Sequence, residues 1–262
     1  PVIAKIEKPQ ALDRIDEIVR TADGVMVARG DLGVELAPEQ VPLVQKNLIA
    51  LAMEHERPVI TATQMLDSMS VNCRPTRAEV SDVANAIFDG TDAVMLSGET
   101  ASGDHPIRAL ETMAAIAKAA DEFIRDKPTY RRREAFAVPD NVGEAIGRAA
   151  ELIARDLDLK AIFVPDVDGS RARAAAASRP DARVYGMSPD EAILRRMSLL
   201  WGINPVQMPR VKRGSELIEQ SEKLACEQSL ARPGDWIVIM TGSPHDEPGP
   251  VNTLRLHQIP QE

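Results

Sequence analysis

Along the first half of the chain, short apolar runs alternate with stretches whose apolar positions recur every three or four residues. That alternation predicts β/α units and a parallel sheet. The run "VIAKIE" precedes a helical pattern over about Ala11 to Thr21. "GVMVARG" precedes a helix over about Glu39 to Glu54, with Val41, Val44, Leu48 and Leu51 on one face. "PVITATQ" leads through a polar loop to "TRAEVSDVANAIF", where Thr76 and Glu79 have capping-box spacing after Pro75. "DAVMLSGE" leads to a helix over about Pro106 to Arg125 that carries Ile107, Leu110, Met113, Ala117 and Phe123.

Two segments 69 positions apart, "ADGVMVARGDLG" and "TDAVMLSGETASG", share an acid, a V-M pair and a glycine-bearing polar loop. Successive strands of one barrel have this look, because each meets the same layered interior and each loop opens on the same rim. The pattern breaks at "RDKPTYRRREAFAVPDN", whose charges and prolines read as a linker. A second α/β block follows, with strands "AIFVP", "ARVYGM", "INPVQM", "WIVIM" and "TLRLHQI". In it "SPDEAILRRM" reads as a helix with Ser188 and Glu191 as capping box and Pro189 at the first helical position. The expected fold is therefore α/β: the C-terminal half of a (β/α)8 TIM barrel over residues 1–126, then a smaller doubly wound α/β domain over residues 127–262 whose last strand could run antiparallel.

Composition narrows the partners. With 31 basic against 40 acidic residues, a net charge of -9 and a pI near 5.1, the chain lacks the basic footprint of a nucleic-acid binder. No apolar run approaches the roughly 20 residues that span a bilayer, and no charged-then-apolar leader opens the chain, so a cytoplasmic protein is expected. Cys73 and Cys226 form no C-x-x-C pair and read as free thiols. His55, His105, His245 and His257 are scattered, which argues against a histidine metal site.

In a parallel barrel, polar residues at strand C-termini line the rim where active sites form. Four consecutive strand ends here supply Lys5 and Glu7, Arg29 and Asp31, Thr61, Thr63 and Gln64, then Ser97 and Glu99. Glu7 and Asp31 suit a hard divalent cation, which accepts one or two carboxylates and leaves positions for water and substrate oxygens. Lys5 beside it suits charge on a transferring phosphoryl group. Gly30 and Gly33 let backbone N–H groups approach an anion. Each residue alone also has a plain structural role: an ion pair, a helix cap, a tight turn or a satisfied hydroxyl. Their convergence on one rim favours a site.

The ordered stretches "IAKIEKPQAL", "VMVARGDLGVE", "VITATQMLDSM" and "RPTRAEVSDVANAIFDGTDAVMLSGETASG", with the trailing "HP", resemble the pyruvate kinase family. The similarity is close through about Asp121 and continues in order through the second block. It implies phosphoryl transfer between phosphoenolpyruvate and ADP, giving pyruvate and ATP, with Mg²⁺ or Mn²⁺ and K⁺, in a cytoplasmic homo-oligomer, a tetramer. By the same resemblance Lys5 stabilises the phosphoryl group in flight, and Glu7 and Asp31 hold the divalent ion. The N–H groups of Gly30 and Asp31, with the Thr63 hydroxyl, would take the substrate carboxylate. Enolate protonation would run through hydroxyl and water near Thr63, with Ser97 and Glu99 as further candidates.

A closed barrel takes roughly 250 residues, and only four of its eight units are here. The family's first four strands, its K⁺ ligands and the domain that closes over the nucleotide have no counterpart in this sequence. The chain therefore reads as the C-terminal part of a longer enzyme, inactive alone. Two rivals are a non-catalytic barrel remnant for assembly or small-molecule binding, and a metal-dependent 2-oxo acid lyase, which would not explain Lys5. Sugar-phosphate-activated members of the family carry a neutral hydroxyl-rich loop after the first strand of the C-terminal domain. Here that stretch is "DVDGSRA", with Asp166, Asp168 and Arg171 at its altered positions, so activation by fructose 1,6-bisphosphate through this loop is not expected.

Overall fold

The computed structural model describes residues 1–127, 141–242 and 247–261. It divides into two compact units, residues 1–132 and 133–262. Most of the stretch read as a linker lies outside the described residues.

In the first unit four parallel strands pair in sequential order, β1 (Ile3–Ile6), β2 (Gly24–Ala28), β3 (Val59–Ala62) and β4 (Ala93–Val94). Sequential parallel order with helical crossovers is the arrangement of one arc of a β/α barrel. The first crossover is two helices, α1 (Pro9–Leu12) and α2 (Ile15–Thr21), where periodicity predicts one. Arg14, at φ −128° and ψ 29°, leaves helical geometry between them. Helix α3 (Arg29–Glu35) follows β2 without a gap. This corrects the reading of "ARGDLGVE" as a glycine loop: Leu32 is fully buried among Ile6, Val27 and Leu48, and that burial outweighs the poor helix propensity of two glycines. Gly33 sits inside α3, and a Cβ there would make only ordinary contact with Val41.

A 3₁₀ turn (Pro38–Gln40) opens the next crossover, α4 (Val41–Glu54). Its Leu48, Ile49 and Ala52 pack with Val25, Val27 and Val59 of the sheet. The crossover after β3 is α5 (Arg77–Asp89), whose capping box forms as expected: Glu79 N–H donates to Thr76 Oγ1 at 3.2 Å and Thr76 N–H to Glu79 Oε2 at 2.7 Å. Gly90, at φ 98°, closes the helix in the left-handed conformation. After β4 come a single turn, α6 (Gly98–Ala101), and the long α7 (Pro106–Asp126). A second cluster of Met65, Leu66, Met69, Val83, Ala86, Ala109 and Met113 closes this side.

The second unit begins with α8 (Val142–Asp156), then alternates β5 (Ala161–Pro165), α9 (Ser170–Ala177), β6 (Arg183–Ser188), α10 (Glu191–Met197), β7 (Ile203–Gln207), α11 (Gly214–Glu227), β8 (Trp236–Thr241) and β9 (Thr253–Gln258). The sheet order is β7-β6-β5-β8-β9, doubly wound, with β9 antiparallel to β8. Alternation assigns each strand residue a face. Ile162, Val164, Val184, Val238 and Met240 share one cluster with α8, α9 and α10, while Ala161, Phe163, Tyr185, Ile237 and Ile239 share another with α11. Burial on both faces makes these strands continuous apolar runs.

The predicted Ser188–Glu191 capping box does not form. Ser188 stays in β6, paired with Gln207, and the cap of α10 is Asp190, which accepts from Ala192 N–H at 2.8 Å. An aspartate one residue before the helix caps it directly, so the serine is free to finish the strand.

Candidate active site

Parallel register brings the C-terminal ends of the first four strands to one edge. Lys5 lies beside Met26 and Ile6 beside Val27, so Glu7 leaves β1 as β2 reaches its end. Lys5 and Glu7 share a side of the strand, while Ala4 and Ile6 pack towards the helices. The Lys5 ammonium donates to Asp31 Oδ2 at 2.7 Å and also to Glu7 Oε2, bridging two carboxylates from adjacent strand ends. The hydrogen bonds that Lys5 donates to Asp31 first, then to Glu7, raise the Lys5 pKa, and the bond from Lys5 lowers that of Asp31. All three side chains are roughly a third to a half exposed, so water screens the pairs and they add little to stability. Lys8 makes a separate pair with Glu35 at 2.5 Å.

Beyond Ala62 the chain turns through Thr63 at φ 68° and Gln64 at φ 53°. A β-branched residue with positive φ is uncommon, and such strain costs on the order of 1–3 kcal/mol. The Thr63 hydroxyl accepts from Gly30 N–H at 2.7 Å and donates to Ala62 O at 2.6 Å. Gly30 suits this close approach: a Cβ there would stand 3.3 Å from Thr63 Oγ1, so the hydroxyl would have to give by a few tenths of an ångström. Thr63 is thereby placed against the first turn of the helix that carries Asp31.

The fourth strand end differs. Glu99 is only 2% exposed, and its two oxygens accept from Ser97 N–H at 2.6 Å and Leu66 N–H at 3.1 Å. It thus ties the loop after β4 to the loop after β3. Ser97 sits at φ −119° and ψ −104° before α6. Thr61, also polar in sequence, is a buried structural hydroxyl that donates to Thr91 Oγ1 at 2.9 Å. Arg29 is the residue that rim reasoning undervalued. It turns inward, 8% exposed, onto the carbonyls of residues 62–64 and onto Asp82. A weak signal exists in sequence: Asp82 and Asp89 lie seven apart on one face of α5, and Arg29 and Lys46 meet them.

Glu7 and Asp31 offer hard oxygen donors converging on one cation, the set that suits Mg²⁺ or Mn²⁺ with further oxygens from water and substrate. Among the described residues no group of three or more His, Cys, Asp or Glu could hold a metal by itself.

In the second unit the "DVDGSRA" loop closes on itself. Asp166, 1% exposed, accepts from the N–H groups of Asp168, Gly169 and Ala172 at 3.1, 3.0 and 2.8 Å. Asp168 Oδ1 accepts from Ser170 N–H at 2.9 Å. Arg171 is buried and donates to the carbonyls of Pro165, Glu247 and Gly249.

Four parallel strands in sequential order with helical crossovers, their C-terminal ends gathering an ammonium and two carboxylates on one rim, define an arc of a β/α barrel. The comparisons are specific. The family model "Pyruvate kinase, barrel domain" matches residues 1–110 and "Pyruvate kinase, alpha/beta domain" matches residues 144–257. The chain belongs to the pyruvate kinase family. It is 46% identical over 260 residues to pyruvate kinases of Sporosarcina psychrophila and Geobacillus stearothermophilus, matching 98% of this chain and 44% of each relative. A crystal structure of a pyruvate kinase from Cryptosporidium parvum superposes with a TM-score of 0.84 at 32% identity, covering 98% of this chain and 51% of that one. The chain thus spans about half the length of the relatives it matches. No described helix is long and apolar enough to cross a membrane.

Proposed function

We propose that this chain contributes half of the catalytic rim of a cytoplasmic, homotetrameric pyruvate kinase that transfers a phosphoryl group between phosphoenolpyruvate and ADP. The observation that carries the reading is the Lys5 ammonium held between Glu7 and Asp31 at adjacent strand ends. In the direction of ATP formation, the bond between phosphorus and the enol oxygen breaks and a bond to the terminal ADP oxygen forms. The enolate then takes a proton at its methylene carbon.

Lys5, kept charged by its two partners, faces the negative charge that spreads over the phosphoryl oxygens in the transition state. Glu7 and Asp31 are the residues that would hold Mg²⁺ or Mn²⁺, which when bound neutralises charge on substrate oxygens. The N–H groups of Gly30 and Asp31 and the hydroxyl of Thr63 would take the substrate carboxylate by exchanging the bonds that Gly30 N–H makes to Thr63 Oγ1 and the Thr63 hydroxyl makes to Ala62 O for bonds to the substrate. The Thr63 hydroxyl, already in a hydrogen-bond chain from Gly30 N–H to Ala62 O, holds the proton path next to the enolate, and Ser97 extends it. Glu99 serves that path as a brace, since both its oxygens are engaged with backbone amides. The K⁺ that the family implies would take ligands from barrel strands other than these four.

The test is Lys5→Met in the complete polypeptide. Loss of one strong electrostatic donor should lower kcat by about 10² or more while the KM for phosphoenolpyruvate changes little. A large rise in KM with kcat preserved would reassign Lys5 to ground-state binding.

A further inference from the structure

The turn that presents Thr63 is held from behind. All five N–H donors of the Arg29 guanidinium have an acceptor: Nε meets Ala62 O at 3.3 Å, Nη1 meets Asp82 Oδ2 at 2.6 Å and Gln45 Oε1 at 3.4 Å, and Nη2 meets Thr63 O at 2.6 Å and Gln64 O at 3.2 Å. Three consecutive carbonyls, 62 to 64, therefore converge on one planar cation. Two of those residues, Thr63 and Gln64, are in the left-handed conformation that non-glycine residues avoid. Such a turn persists only where its surroundings over-determine it. Among the described residues, the only charged side chain within hydrogen-bonding distance of those carbonyls is Arg29, which is 8% exposed. On the other side of the same turn the Thr63 hydroxyl meets Gly30 N–H, and Gly30 is the next residue after Arg29.

We infer that Arg29 is a positioning residue for the reaction: its guanidinium clamps the left-handed turn at 63–64 and so fixes the Thr63 hydroxyl over Gly30. Arg29 and Gly30 work as a pair, the side chain of one gripping the carbonyls of the turn and the amide of the other meeting its hydroxyl. Asp82, from α5, anchors the guanidinium and fixes its plane. Lysine cannot replace it, because three donors radiating from one nitrogen do not span three carbonyls while also meeting a carboxylate. The inference rests on Thr63 serving the enolate chemistry proposed above, and its test separates the two.

The experiment is a double-mutant cycle in the complete polypeptide with Arg29→Lys, Thr63→Ala and the pair. If Arg29 acts through Thr63, Arg29→Lys should lower kcat about tenfold with the KM for ADP unchanged, and should change kcat less than twofold in the Thr63→Ala background. Equal losses in both backgrounds would overturn the inference. Amide hydrogen exchange gives a readout independent of catalysis. Arg29→Lys should speed exchange at Gly30 tenfold or more while the amides of β2 hold their rates, and unchanged exchange at Gly30 would overturn the clamp. Should the complete protein with native residues transfer no phosphoryl group from phosphoenolpyruvate, the functional reading falls and the exchange result alone decides the clamp. Should Arg29→Lys fail to fold, Asp82→Asn runs the same cycle. It should lower kcat about threefold only where Thr63 is present, and an equal loss in both backgrounds overturns the inference again.

Discussion

Replacing Glu99 by glutamine separates a brace from a proton relay. The carboxylate is 2% exposed and accepts from Ser97 N–H at 2.6 Å and Leu66 N–H at 3.1 Å. Glutamine keeps one acceptor oxygen but turns an NH₂ towards the other amide, so one charge-assisted bond is lost and one buried donor faces another donor. The first loss is about 2 kcal/mol and the second about 1 kcal/mol, giving about 3 kcal/mol of destabilisation. For a unit of this size that lowers Tm by roughly 10 °C. Thermal unfolding of the complete polypeptide, followed by circular dichroism, measures the stability, and kcat against pH measures the chemistry. A brace predicts the full loss of stability, a reduced kcat, and a pH profile of unchanged shape. Native stability combined with loss of one limb of the profile would show that Glu99 exchanges protons in turnover, and the brace reading would be refuted.

Asp31→Asn should weaken Mn²⁺ binding by tenfold or more, measured by paramagnetic relaxation of water protons, because one of two converging carboxylates becomes neutral; unchanged affinity would remove Asp31 from the metal role. Glu79→Gln addresses pH and stability. Burial pushes the Glu79 carboxyl up, but hydrogen bonds from Ser68 and Thr76 outweigh it and leave the folded value below the ordinary one. A depressed carboxyl stabilises the fold above the ordinary glutamate range, about 4.3, and loses that contribution as pH falls through the folded value. Native protein should thus exceed Glu79→Gln by about 1 kcal/mol at pH 7 in urea unfolding, and the gap should close below about pH 4; a gap that persists in acid would contradict the linkage. Fructose 1,6-bisphosphate should leave the phosphoenolpyruvate saturation curve where it was, since Asp166 already occupies three loop amides and Arg171 is buried against carbonyls. A leftward shift abolished by Arg171→Ala would reverse that reading.

The order of strands, the two α/β blocks and the polar strand ends were legible in the sequence, because each depends on local periodicity: two for strands, 3.6 for helices. The capping box at Thr76 and Glu79 was legible for the same reason, as its partners lie three residues apart. The match of "IAKIEKPQAL" and "VMVARGDLGVE" to a known family likewise needed only residue order. What the sequence alone left open depends on distant partners. Nothing local makes "ARGDLGVE" a helix; Leu32 does so by burying against strands and helices elsewhere in the chain. Lys5 and Glu7 are two residues apart in any strand, but only the pairing of β1 with β2 brings Asp31 to the same ammonium. Glu99 reads as a rim acid until Leu66, 33 positions away, claims one of its oxygens. Thr63 reads as a hydroxyl on a strand, whereas its left-handed backbone becomes tolerable only where a guanidinium grips the carbonyls around it. Residue order therefore determined which groups were available at the rim, and tertiary pairing decided which were exposed to act and which were spent holding the others in place.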